Sequence, residues 1–141
     1  MVKKTFWFLL AIFVLISGQL FVPSIRNLFR GSLLFLLPFI IFSLSGAMLI
    51  ILTLKKKVKG NLKKFLLLTG ISPLAMVVFI LLHNLFFSLF VVIFGNDFWE
   101  RIGLGDEPLF FILAVIACPI AFLVGFVGSI VLLIRKKNKI C

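Results

Sequence analysis

Four uncharged runs constrain this chain more than any other feature. The stretches 6–22, 33–54, 65–94 and 109–134 contain no Asp, Glu, Lys or Arg. A helix rises about 1.5 Å per residue and a hydrocarbon core is about 30 Å thick, so every run has the length of a spanning helix. Helix is also what the bilayer demands, because backbone N–H and C=O groups find no water there and must pair within their own segment. What remains, divided among two termini and three loops, is too short for a separate soluble domain. The predicted fold is therefore an all-α bundle of four transmembrane helices forming one integral membrane domain over residues 1–141. With 63% of residues hydrophobic and 13% charged, an ordinary soluble domain is excluded.

The placement of the charges predicts orientation. Lys3 and Lys4 precede the first run, Arg26 and Arg30 follow it, and Lys55, Lys56, Lys57, Lys59, Lys63 and Lys64 separate the second from the third. Arg101 lies in the third loop, and Arg135, Lys136, Lys137 and Lys139 follow the last run. Four crossings put the N-terminus, the second loop and the C-terminal tail on one side, which then holds twelve of the fifteen basic residues. The positive-inside rule makes that side cytoplasmic, with both termini inside and a plasma membrane as the expected location. The net charge of +11 needs no nucleic-acid partner, since no aromatic interleaving or base-reading motif accompanies it. Beside a membrane, the cluster Lys55, Lys56, Lys57, Lys59, Lys63 and Lys64 is expected to meet anionic lipid headgroups, at about 1 kcal/mol per basic residue.

The first run resembles a secretory signal peptide in having Lys3 and Lys4 before an apolar stretch that reaches Ser17 and Gly18. Ile16 is bulky where a cleavage site prefers a small residue, and the apolar stretch continues past it, so retention as a span is expected. The two cysteines differ in depth: Cys118 belongs mid-span and Cys141 to the tail, too far apart for a disulfide.

Within the spans, small residues and prolines mark packing. Ala117, Ala121, Gly125 and Ser129 recur at four-residue spacing and predict a small-residue ridge at a helix interface. Ser43, Ser45, Gly46 and Ala47 form a second small patch. The third run is about 45 Å long as a helix, more than the bilayer needs, and Pro73 predicts a kink that absorbs the excess, with a tilted straight helix as the alternative. Pro38 falls within the first two turns of the second span, where its missing N–H costs little. Gln19 is expected to reach headgroups, Trp7 to sit at the interface, and Ser24 to cap a short surface helix whose Arg26 and Arg30 face phosphates.

No acid or base occupies a span, which removes the buried carboxylates of proton-coupled exporters and the paired groups of intramembrane hydrolases. The exceptions to an apolar interior are His83 and Asn84. Counting back from Phe94 puts His83 about 16 Å in, near the midplane, level with Ser43, Cys118 and Pro119. Pro119 frees the carbonyl of Val115, so this carbonyl or Ser43 is the expected partner for an interhelical bond. In one reading His83 and Asn84 hold helices together, and in the other they line a path through an oligomer. A lone histidine lacks the further ligands of a metal site, and no cofactor is expected.

The third loop, residues 95–108, concentrates the acids Asp97, Glu100, Asp106 and Glu107. Asp97 with Glu100 predicts a capping box opening a short helix, with Phe98 and Trp99 at the interface and Gly103 ending it. Asp106 and Glu107 before Pro108 predict a carboxylate cap on the fourth span. The loop lacks calcium-hand spacing. These features point to a non-enzymatic membrane subunit or accessory protein acting through helix packing, partnered by the bilayer and by a second copy or another membrane protein. A channel or carrier built around His83 and Asn84 is the alternative, and a lipid-modifying enzyme is disfavoured because His83 lies too deep.

Overall fold

Helix covers most of each uncharged run and, at several ends, extends into the basic flanks. The computed structural model describes residues 2–29 and 35–138, and all secondary structure among them is helical. The long elements are α1 (Val2–Phe21), α3 (Leu37–Lys55) and α4 (Asn61–Phe94), joined by short helices α2 (Pro23–Phe29) and α5 (Phe98–Arg101). A fourth long segment, Pro108–Arg135, is built from α6 (Pro108–Ile112), a π-helical stretch (Leu113–Ala117) and α7 (Cys118–Asn138). Four helices are thus long and apolar enough to cross a membrane. Lysine is a good helix former, which lets α1 begin before Lys3 and α4 take in Lys63 and Lys64. Leu33 and Leu34 of the predicted second span lie outside the described residues, as do Arg30, Lys139 and Cys141.

The helices form an arc. α1 packs on α3, α3 on α4, and α4 on the α6–α7 segment, whereas among the described residues no Cα of α1 lies within 8 Å of one in α7. Large aromatics bridge that wider seam. Phe6 stacks on Phe126 with centroids 4.3 Å apart, and Phe13 on Phe122 at 4.6 Å. Phe42 of α3 meets Phe122 edge-on at 5.3 Å, so phenylalanines fill the interior from three sides.

The other seams are narrow because small residues face each other. At the α3–α4 crossing, a Cβ placed on Gly46 would stand 2.6 Å from the Gly70 carbonyl oxygen. At the α4–α7 crossing, one placed on Gly125 would stand 2.7 Å from the Thr69 nitrogen. Backbones this close are how apolar helices associate when lipid competes for the same side chains. Gly46 belongs to the small patch recognised in the sequence. Gly70, its counterpart, is signalled there only by being small between large neighbours.

α4 is one continuous helix through Pro73, with the hydroxyl of Thr69 donating to the Phe65 carbonyl and that of Ser72 to Leu68. Other expectations are corrected. α2 opens at Pro23, one residue ahead of the predicted cap Ser24, since proline is preset for a first helical position. Gln19 is fully buried and its amide donates to the Phe35 carbonyl at 3.0 Å, tying Phe35, just ahead of α3, onto α1. Trp99 is buried by protein, a packing the sequence does not signal: it stacks on Phe87 at 5.9 Å with its indole N–H directed at the Phe87 carbonyl. Asp97 precedes α5 without a side-chain cap bond. α5 instead closes through its far end, where Gly103 has φ +74° and Leu104 N–H bonds the Trp99 carbonyl.

Candidate functional site

A histidine and two carboxylates meet where α6 begins. Pro108 occupies the first turn of α6 and makes Glu107 its N-cap, so the Glu107 carboxylate accepts from the free N–H groups of Leu109 at 2.8 Å and of Phe110 at 3.0 Å. Asp106 in turn accepts from the Glu107 N–H at 2.8 Å. Held this way, Glu107 is buried, at 6% exposure, against α4. His83 meets it there: Nδ1 is 3.1 Å from the Glu107 carbonyl oxygen and 3.2 Å from Oε2, while Nε2 is 3.5 Å from Asp106 Oδ2. Both partners of Nδ1 are acceptors, which assigns the hydrogen to Nδ1. A ring protonated on both nitrogens would set a cation between two carboxylates.

These contacts place His83 beside the start of the fourth long segment, not opposite its middle. Counting from Phe94 holds only if α4 and the fourth span end at one level. The fourth span instead starts beside His83, and Phe110 contacts Phe86 at 5.0 Å. A hollow of about 160 Å³ beside His83 is lined also by Leu20, Phe39 and Phe111, so residues near the ends of α1, α3 and α6 gather around this part of α4. His83 therefore stands at one end of the bundle, and α4 continues past it. From Leu62 to His83 is about 32 Å of helix, close to a hydrocarbon thickness. Residues 87–94 project about 12 Å further. Val92 is 82% exposed, and Leu89, Ile93 and Phe94 are also exposed, while Phe87 and Phe90 are covered by α5 through Trp99.

The remaining predicted residues distribute as follows. Asn84 is exposed and its amide donates to the Ile80 carbonyl of its own helix, so it joins no other helix. His83 bonds neither Ser43 nor the Val115 carbonyl; Ser43 is half-buried on α3. Cys118 is buried on the inward face of the fourth span. Ahead of Pro119 the helix widens to a π turn, with the Cys118 N–H reaching the Leu113 carbonyl, which makes room for the proline ring. Along the predicted ridge, Gly125 and Ser129 are buried, Ala121 is half-buried and Ala117 is exposed. Four-residue spacing drifts by about 120° over three such steps, so the buried stripe runs instead through Ala114, Cys118, Phe122, Gly125 and Ser129. Asp97, Glu100 and Asp106 are exposed, as are Lys55, Lys56, Lys57, Lys59 and Lys64, with Lys63 half-buried. Lys57 adopts φ +49° to end α3, its Val58 neighbour bonding back to the Thr53 carbonyl.

Sequence reasoning missed the burial of Glu107: Pro108 marks the preceding residue as a cap, but nothing local signals that the cap packs against α4. Among the described residues, no three His, Cys, Asp or Glu side chains are arranged to hold a metal ion. Comparison of the chain with protein-family models, curated proteins and solved structures finds no match.

Proposed function

We propose that this chain is a non-enzymatic subunit of a larger membrane assembly, set in a plasma membrane with both termini cytoplasmic, and that residues 87–94 of α4 dock on a partner membrane protein. The observation that carries the reading is the exposed apolar projection beyond His83. A bilayer whose surface lies at the His83–Glu107 junction leaves Asp106 in water and headgroups, and it takes in α4 from His83 back to Leu62. Such a placement brings Leu89, Val92 and Ile93 out of the hydrocarbon, where an exposed apolar patch calls for a protein partner. The lysine end, carrying Lys3, Lys4 and the cluster between α3 and α4, then faces the cytoplasm, and α2 and α5 lie along the opposite surface.

Photo-crosslinking in native membranes tests the docking. A photoreactive residue at Val92 is expected to give a discrete protein adduct, and one at Val78, exposed on α4 within the bundle, to give lipid adducts only. An adduct of twice the chain mass identifies a second copy as the partner, and lipid adducts alone from Val92 would reject docking.

The His83–Glu107–Asp106 junction supports a second reading, transport of a small ion through an oligomer. That reading requires His83→Ala to abolish a flux into vesicles while leaving stability in detergent unchanged. The packing reading requires loss of stability instead, since Glu107 would keep a buried charge without its partner.

A further inference from the structure

The seam between α1 and α7 opens into a cavity at the lysine end of the bundle. Its volume is about 520 Å³, within the range of sites that hold a ligand, and Phe6, Trp7, Leu66 and Ile130 give it apolar walls. Lys3 from α1 and Lys56 from the end of α3 are the charged members of the same lining. Past Lys56 the space continues into a groove of about 630 Å³ that adds Lys57, Lys59 and Asn61. No acid neighbours these lysines in the sequence, and none of them forms a salt bridge among the described residues. The cavity lies in the wider seam of the bundle, where among the described residues no Cα of α1 comes within 8 Å of one in α7.

We propose that this cavity is a binding site for one anionic phospholipid, with an acyl chain lying among Phe6, Leu66 and Ile130 and the phosphate held between Lys3 and Lys56. An apolar chamber rimmed by unpaired cations matches an amphiphile whose head is negative, and matches neither a free anion nor a zwitterionic lipid as well. The site goes beyond the diffuse attraction of a basic loop to acidic membranes, because it assigns the headgroup to Lys3 and Lys56 and leaves Lys63 and Lys64 out.

Trp7 in the cavity wall supplies the probe. In the full-length Trp99→Phe protein, reconstituted in phosphatidylcholine, Trp7 fluorescence is titrated with phosphatidylglycerol carrying brominated chains, and separately with brominated phosphatidylcholine. Brominated phosphatidylglycerol is expected to quench at a far lower mole fraction. Adding Lys3→Gln and Lys56→Gln together should cut that preference about thirtyfold, the effect of two lysines at a headgroup surface. Adding Lys63→Gln and Lys64→Gln instead should preserve it, and excess inorganic phosphate should displace nothing. Equal quenching by the two lipids would overturn the proposal. So would an equal loss of preference in the two double variants, which signals diffuse attraction, or displacement by inorganic phosphate, which signals an anion groove without a chain site.

Discussion

Glu107 combines three tasks in one side chain. It terminates the backbone hydrogen-bond ladder of α6, it is fixed by the Asp106 carboxylate through its own N–H, and it receives His83. Removing the carboxylate by Glu107→Ala should destabilise the protein by about 1–2 kcal/mol through the lost cap, with a further cost from the lost contact of Oε2 with His83, whose Nδ1 keeps the backbone carbonyl of residue 107. Glu107→Gln keeps an acceptor for the Leu109 and Phe110 amides and should retain most of the stability. Chemical unfolding in a neutral detergent, with helical circular dichroism as readout, separates the two variants; equal losses would show that the charge, and not the cap, dominates. That a carboxylate caps this span was legible from Glu107 preceding Pro108. That the same carboxylate is buried against His83 was not, since nothing in the local spacing says which turn of α4 lies beside it.

At the scale of elements, the close crossings decide where α4 sits. Gly70 faces Gly46 so tightly that an added Cβ would stand 2.7 Å from Ile50 Cγ1 and 2.9 Å from the Gly46 carbonyl oxygen. Ile50 is flexible, but the Gly46 backbone is not, so Gly70→Ala should force α3 and α4 apart at a cost of about 1–3 kcal/mol. Gly105→Ala, where an added Cβ meets nothing within 4 Å, is the matched control. Equal unfolding midpoints for the two variants would mean that the crossing is looser than the geometry indicates. The small residues of α3 and α7 were readable as packing surface, and Gly125 and Ser129 do lie at an interface. Ala117 does not, because a ridge drawn at constant four-residue spacing winds around its helix, whereas a straight neighbour contacts a stripe that alternates steps of three and four. The opposite seam was invisible to such reasoning. Large phenylalanines, Phe6 and Phe13 against Phe126 and Phe122, hold α1 and α7 apart, and their pairing depends on the order of helices around the arc.

For the whole molecule, the uncharged runs coincide with the four helices long and apolar enough to cross a membrane, but they do not say how the helix ends line up with one another. Absence of charge from Phe65 to Phe94 does not put that whole stretch in hydrocarbon, and only on that assumption does His83 reach the midplane. The ends of α1, α3 and α6 put it at one end of the bundle instead, with residues 87–94 beyond. Where the bilayer surface meets α4 therefore decides between a docking projection and a submerged histidine. Trp99 reports that position, since its ring stacks on Phe87 just past His83. In a Trp7→Phe variant it is the sole tryptophan, because the chain has two. Nitroxide labels on lipid headgroups should quench its emission, while labels at the ends of acyl chains should leave it bright. Stronger quenching from the chain ends would place residues 87–94 inside the hydrocarbon. Asp106 and Glu107 would then lie within the bilayer beside His83, a costly arrangement that membrane proteins keep where ions or protons pass, and the transport reading would displace docking.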